Sequence, residues 1–446
     1  MKKKVGVVSL GCPKNLVDSE IMLGILKDND YDIVGKTDEA DVLIVNTCGF
    51  IESAKAESIS TILEMAECKK KSCKLLIVTG CLAERYREEI IKEIPEVDAV
   101  IGTGNYGEIA EVIDKAGSGK KPVLYGKLGE KDYLENKRLL SAKNGYAYLK
   151  IAEGCDNCCT YCIIPSLRGR YRSRKMEDII KEAESLAGNG VKEIILIAQD
   201  VTRYGTDLYH SRKLVELIGN ISRIKDVEWI RLLYCYPEEI DESLIEEIAG
   251  NEKVCKYIDI PMQHASDRIL KAMGRRGGSN DNGRLIKSLR EKIPEIAIRT
   301  SFIAGFPGET EDDFKKLCEF VAEYKVDRLG VFEYSKEENT AAAKLRNQVN
   351  KKVKKKRYNE IMKLQNEIML SKNKLRINKI YRTIVEGVAD DGIFYYGRTY
   401  AEAPEIDSLI YFTSEEPLNI GEFTRVKVVN TDDYDLIGVV VDEFAK

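Results

Sequence analysis

Glu153-Gly154-Cys155-Asp156-Asn157-Cys158-Cys159-Thr160-Tyr161-Cys162 places four cysteines within ten residues. Cys155, Cys159 and Cys162 stand in a C-x3-C-x2-C spacing, just after the apolar, aromatic-rich run Tyr146-Ala147-Tyr148-Leu149-Lys150-Ile151, which reads as a strand. Core packing does not call for that spacing. A short loop bent around one iron–sulfur cube can aim three thiolates at three irons, because each iron takes one outside ligand and thiolate is the soft donor that suits it. The fourth iron then stays open. A zinc knot or a disulfide cluster is the competing reading, but structural zinc usually draws on two separated Cys/His pairs, and no second pair with that spacing follows. Cys158 creates a second register, Cys155-x2-Cys158-x3-Cys162. The ligand set read here is Cys155, Cys159 and Cys162, with Cys158 a bystander or a redox liability.

The chain around this knot has 446 residues, enough for two or three domains with separate cores. Its formal charge of -4 argues against a surface made throughout for nucleic acid and leaves local patches open. No apolar run approaches a membrane span, and Met1-Lys2-Lys3-Lys4 leads into a strand rather than a signal-peptide core. No membrane partner is expected, and a cytoplasmic location is. Twelve cysteines in such a chain point to metal ligation or catalysis before disulfides.

Upstream, from Lys4 to about Gly119, strand and helix alternate: Val5–Leu10, then helix from Leu16; Val42–Val45, then helix from Ser53; Leu75–Val78, then helix from Ala83. This pattern predicts a parallel, doubly wound sheet. Each of those strands runs into a cysteine, Cys12, Cys48 or Cys81. Ligands of such sheets bind beyond the carboxyl ends of the strands, so the three thiols should meet there and could hold a second cube with an open iron. The plainer reading is three small buried apolar residues. Cys68 and Cys73, in a polar turn, carry no ligand role.

The knot spacing resembles that of the radical S-adenosylmethionine (SAM) superfamily. The resemblance implies SAM chelated on the open iron and a 5'-deoxyadenosyl radical as the working oxidant. Cys12, Cys48 and Cys81 followed by the knot resemble the methylthiotransferase family over essentially the whole chain. Ser9-Leu10-Gly11-Cys12-Pro13-Lys14-Asn15-Leu16-Val17-Asp18-Ser19-Glu20 is similar to its branch called RimO. That branch methylthiolates the β-carbon of an aspartate in small-subunit ribosomal protein twelve. Its tRNA-modifying siblings usually show Gln and Met where this chain has Pro13 and Lys14. The resemblance implies two 4Fe-4S clusters, one on Cys12, Cys48 and Cys81 and one on Cys155, Cys159 and Cys162, besides SAM. It also implies a low-potential electron donor, a sulfur source, and a basic protein substrate that is free or within the ribosomal subunit.

Downstream of a polar, Lys-rich linker (120–140), strand and helix alternate six times between 141 and 371. The expected strands are 146–152, 193–198, 229–234, 257–261, 296–303 and 329–332. Six such units resemble the partial (β/α)6 barrel of radical SAM enzymes, with active residues at the carboxyl ends of the strands. Gln199-Asp200, Gln263-His264 and Gly305-Phe306-Pro307-Gly308-Glu309-Thr310 lie there. Gln199, Gly305, Pro307 and Gly308 are candidates for SAM, as is Tyr161, placed to lie against the adenine as an aromatic there does in relatives. Asp200, Gln263 and His264 are candidates for substrate. A turn before a helix uses the same Gly and Pro residues, and a satisfied core histidine is the alternative for His264.

Residues 344–379 hold a basic helix with Ile361, Leu364 and Ile368 at helical spacing; its lysines read as a solvated face, with ribosomal RNA the lesser reading. The last segment, 372–446, changes from Tyr381 onward to short alternating strands and predicts a small β-barrel, resembling the TRAM module. From 381 to 446 it carries fourteen acidic and five basic side chains, net -9. An acidic barrel repels phosphate and attracts a basic protein. The expected fold is therefore α/β in three parts: a doubly wound sheet (1–119), a partial barrel (141–371) and a TRAM-like barrel. The expected activity is methylthio transfer to a protein aspartate. A tRNA adenosine methylthiotransferase and a non-catalytic iron–sulfur electron carrier are the alternatives.

Overall fold

The computed structural model describes residues 2–126, 128–129, 133–141 and 144–441. Asp442, Glu443 and Lys446 of the acidic tail, and parts of the linker, lie outside them.

The first sheet is all parallel, with strands β1 (Lys4–Ser9), β2 (Asp32–Ile33), β3 (Val42–Thr47), β4 (Leu75–Gly80), β5 (Ala99–Ile101) and β6 (Val123–Leu124) in the order β2-β1-β3-β4-β5-β6. Val42–Thr47 is buried along its whole length, as a central strand covered on both faces must be. Order reverses at β1, so the carboxyl ends of β1, β3 and β4 share one rim. The sheet runs past residue 119: Val123-Leu124, expected in the linker, pairs with Val100 and Ile101.

The second sheet is an open half-barrel of six parallel strands in sequence order. They are β7 (Tyr146–Lys150), β10 (Glu193–Ile197), β11 (Trp229–Leu232), β12 (Val254–Asp259), β13 (Ala297–Ala304) and β14 (Arg328–Glu333). Between the first two, β8 (Ala152–Glu153) and β9 (Arg172–Ser173) form an antiparallel pair that frames the knot. Residues alternate between two faces. Leu149, Ile194, Leu196 and Ile230 pack outward under the helices, while Tyr148, Ile195, Ile197 and Tyr257 line the concave side. Val17 and Ile21 of helix Pro13–Asp28 join that concave cluster. The amino-terminal unit thus fills the side that two missing strands would close.

The tail is a closed antiparallel-rich barrel of β15 (Ile380–Val388), β16 (Tyr395–Arg398), β17 (Ile410–Thr413), β18 (Phe423–Asp432) and β19 (Asp435–Val440). The helix before it spans Lys351–Lys374, burying Ile361 and Ile368; it continues through residue 371, where the middle segment was expected to end. The tail docks on the amino-terminal ends of the half-barrel strands. Arg398 reaches Glu193 at 2.7 Å, Arg328 reaches Glu402 at 2.8 Å, Tyr257 donates to Asp407 at 2.8 Å, and Trp229 meets Phe423 edge-on. Glu386, Glu402 and Asp407 are thereby engaged in internal ion pairs, which reduces the free negative charge of the barrel. Among the described residues, no helix is long and apolar enough to cross a membrane.

Candidate active site

Two thiol triads face the junction of the amino-terminal sheet and the half-barrel. In the knot, Gly154 takes φ +81, and a Cβ there would fall 2.0 Å from the Arg170 carbonyl oxygen, so only glycine lets the loop start so close to its return strand. The Asn157 amide donates to Cys155 Sγ at 3.4 Å and the Ile164 amide to Cys162 Sγ at 3.4 Å. Tyr236 Oη lies 2.7 Å from Cys159 Sγ. Burial pushes the Cys155 thiol up to about 11 against those donors, with Cys159 adding to the rise; Cys162 is raised too, by burial and by Cys159 and Cys155. Cys158 is exposed, and its thiol turns to the Asp156 carbonyl, apart from these contacts.

Cys12 caps helix Pro13–Asp28, Cys48 follows β3 directly, and Cys81 opens helix Cys81–Tyr86 directly after β4. Cys48 is driven up to about 12 by burial and by the neighbouring Cys81 and Cys12 thiols. Among the described residues no three His, Cys, Asp or Glu side chains converge on a single-ion site. Soft thiols, with backbone N–H groups directed at two of the knot sulfurs, have the donor chemistry that a cluster takes.

A buried polar network joins the triads. Arg168, ending the helix Ile164–Arg168 that follows the knot, donates to Asp18 at 2.6 Å, Asn15 at 2.5 Å and Cys81 Sγ at 3.5 Å. Lys150, the last residue of β7, holds Asp18 at 2.5 Å and Glu153 at 2.7 Å. Burial alone would raise Glu153; Lys150 and Arg168 instead hold it well below the usual carboxylate range.

The other candidates from the sequence fall into distinct places. Gln199 donates to Glu153 at 2.5 Å, and its Oε1 is buried without a partner. Asp200 is fully buried, accepting from Thr202 at 2.5 Å and from Asn157 of the knot at 2.9 Å, so it braces the cysteine loop. Tyr161 packs with Met273, Phe306 and Tyr334, which brings it against the Gly305–Gly308 turn. In that turn Pro307 is buried. The amides of Gly305 and Phe306 donate to Glu309, and the space beside Gly305 is filled by the Lys354 side chain. At Gly308 a Cβ would meet only the Arg268 guanidinium, at 3.9 Å. His264 is fully buried, accepts from the Ser266 amide at 2.9 Å and sits 3.4 Å from Glu309, itself paired with Arg357 at 2.7 Å. Its Nδ1 is thus satisfied, while its Nε2 is buried without a hydrogen-bond partner. Gln263, at φ +72, is a non-glycine residue in the left-handed region at the barrel mouth.

Arg168, Lys150, Asp18, Lys14, Tyr234 and Tyr236 were not singled out from sequence as site residues. One signal was present: Lys150 is a lysine inside an otherwise apolar strand, and such a residue needs a buried partner.

Comparison with known proteins agrees with this architecture. Residues 4–102 match the family described as Uncharacterized protein family UPF0004, 149–321 the Radical SAM superfamily and 377–441 the TRAM domain. The chain is 64% identical to the ribosomal protein uS12 methylthiotransferase RimO of Acetivibrio thermocellus, covering 100% of both chains. It is 51% identical to the protein of the same name from Clostridium tetani, again over 100% of both. Among solved structures it resembles the radical S-adenosylmethionine methyltransferase TsrM from Kitasatospora setae. The TM-score is 0.55 at 13% identity, over 75% of this chain and 72% of that one, a likeness of fold. Full-length identity at this level places the chain in the RimO family of ribosomal protein uS12 methylthiotransferases.

Proposed function

We propose that this protein is a radical SAM transferase that adds a methylthio group to the β-carbon of an aspartate in ribosomal protein uS12. Cys155, Cys159 and Cys162 would hold one 4Fe-4S cluster, and Cys12, Cys48 and Cys81 a second. When bound, the clusters and SAM supply the hydrogen-abstracting radical and the methylthio group. The observation that carries the reading is the meeting of two partly buried thiol triads across one ion-paired junction, with Arg168 following one triad in sequence and touching the other.

The residues have separable tasks. Asn157, Ile164 and Tyr236 direct donors at the knot sulfurs. Asp200 and Gln199 fix the knot from the carboxyl end of β10. Tyr161 and the Gly305–Gly308 turn would supply the apolar wall for an adenosyl group. His264 and Glu309 hold that turn in shape. The exposed part of the acidic tail barrel suits a basic ribosomal protein. A low-potential electron donor and a sulfur source complete the set of partners.

The test is mass spectrometry of a synthetic aspartate-containing loop of uS12, incubated without oxygen with the cluster-reconstituted protein, SAM, sulfide and a low-potential reductant. One methylthio group should replace one hydrogen, and Cys155→Ala should abolish it. An unchanged peptide alongside accumulating 5'-deoxyadenosine would reject the protein substrate and direct the assay to adenosine-containing tRNA.

A further inference from the structure

Three cations are buried where the two triads meet, and two carboxylates serve them. Lys150 is met by Asp18 and Glu153 at 2.5 and 2.7 Å, and Arg168 by the same pair at 2.6 and 3.2 Å. Lys14 is the third. It lies in the first turn of helix Pro13–Asp28, two residues after Cys12, and is 8% exposed. Its Nζ sits 3.2 Å from the centroid of the Tyr234 ring and donates to the Ala198 carbonyl at a long 3.5 Å. Glu153 and the Cys12 sulfur act on it from a distance, but among the described residues no carboxylate forms a direct ion pair with it. A ring face and one long contact recover part of the cost of keeping an ammonium from water, without the direct pairing that its two neighbours have.

Its surroundings locate the uncompensated charge. Ala198 follows β10 and Tyr234 follows β11, both at carboxyl ends, so Lys14 faces the barrel mouth from the amino-terminal side. Tyr234 holds φ +64, a left-handed conformation that a bulky residue adopts only under constraint; its amide donates to Asp259 at 3.0 Å, and this keeps the ring beneath the ammonium.

We propose that Lys14 receives the side-chain carboxylate of the substrate aspartate and sets the preference for a carboxylate-bearing side chain. The proposal rests on the protein-aspartate reading above. The carbon that takes the methylthio group is bonded directly to that carboxyl carbon, so an ion pair at Nζ fixes the reacting carbon beside Cys12. A side chain without an anion leaves the ammonium unpaired, and discrimination arises from that penalty as much as from the new contact.

The test uses cluster-reconstituted protein and two peptides of the uS12 loop, identical except that one carries Asn in place of the target Asp. Binding is read by fluorescence anisotropy and modification by mass spectrometry in direct competition. Wild-type protein should prefer the Asp peptide by roughly ten- to a hundredfold, the range of a hydrogen bond to a charged group. Lys14→Met should level that preference, and Lys14→Arg should keep it; Lys14→Gln replaces the Met variant if that one does not fold. Equal binding of both peptides by wild type overturns the proposal without any variant. Full Asp preference in Lys14→Met overturns it as well and leaves Lys14 as a counter-charge for the Cys12 site. Failure of wild type to modify either peptide rejects the protein-substrate reading itself, and the proposal with it.

Discussion

Arg168 Nη2 stands 3.5 Å from Cys81 Sγ, although Arg168 belongs to the helix that begins two residues after Cys162. The loop that carries one thiol triad thus ends on the other. Their separation is set by a five-residue helix and a guanidinium held on Asp18 and Asn15. Rigid elements of this kind fix a site to within the tolerance that chemistry between two centres requires.

Removing that guanidinium takes a buried cation away from both Asp18 and Glu153. Arg168→Met is expected to destabilise the metal-free protein by about 3–5 kcal/mol, the usual cost of breaking a buried pair from one side. Urea denaturation followed by circular dichroism measures it. Arg168→Lys, which restores the charge without the fork, should fall between the two. A wild-type midpoint for Arg168→Met would show that the network contributes nothing to stability.

Cys158 and its neighbour Cys159 should behave oppositely. Cys158→Ser is expected to leave iron and sulfide content unchanged after reconstitution, because its thiol is exposed and faces the Asp156 carbonyl. Cys159→Ser should lose the knot cluster. Iron loss in Cys158→Ser would transfer the ligand role to the other register.

The Tyr236 hydroxyl, 2.7 Å from Cys159 Sγ, donates to the sulfur once the thiol is a thiolate. Hydrogen bonds to cluster sulfurs favour the reduced, more negative state. Tyr236→Phe should therefore lower the potential of the knot cluster by roughly 40 mV, the one-electron equivalent of a hydrogen bond worth about 1 kcal/mol. Redox titration followed by electron paramagnetic resonance reads the shift; an unchanged potential would mean that the contact is only steric.

Glu402 gives the docking of the tail a pH dependence. Burial would raise its carboxyl, but Arg376 and Arg328 hold it down at about 2 against an ordinary 4.5. A depressed carboxylate contributes stability that is present above the unfolded value and lost as pH falls through the folded one. Stability should therefore be flat near neutrality and fall by on the order of 3 kcal/mol between about pH 5 and pH 2 from this group alone. Glu402→Gln should be less stable at pH 7 and lack that share of the acid-dependent loss. Parallel pH curves for the two proteins would assign the effect to other carboxylates.

Much of this architecture is legible before any coordinates. Apolar runs marked all six strands of the half-barrel, since all but the edge strand β14 are buried along nearly their whole length and their sequences record that burial. Boundaries were less legible. Val254 and Cys255 extend β12 upstream of the expected Tyr257 because strand pairing, not local pattern, recruits them. Val123-Leu124 read as an apolar spot in a linker because two residues carry no period; only the edge of β5 makes them a strand. The cysteines announced themselves by spacing and by position after strands. The junction of the cations did not: Lys150 signalled only its need for a buried partner and Lys14 only a branch of the family, and with Arg168 they acquire a shared place from what three separate elements bring together. Gly305 shows the converse: a glycine read as a cofactor contact is also the place where the Lys354 side chain crosses.

The tail barrel sits on the amino-terminal ends of the half-barrel strands, whereas the thiols open at their carboxyl ends. The longest of those strands, Ala297–Ala304, has eight residues and so spans about 26 Å. A short loop peptide can occupy the mouth but cannot also reach the tail. Under the proposed function, an intact ribosomal protein is large enough to span both, and a second grip at the tail would act as a tether that raises the effective concentration of the target loop at the mouth. Selection of substrate would then be divided between two remote addresses: the mouth would inspect one side chain, and the tail the size and charge of the molecule that bears it.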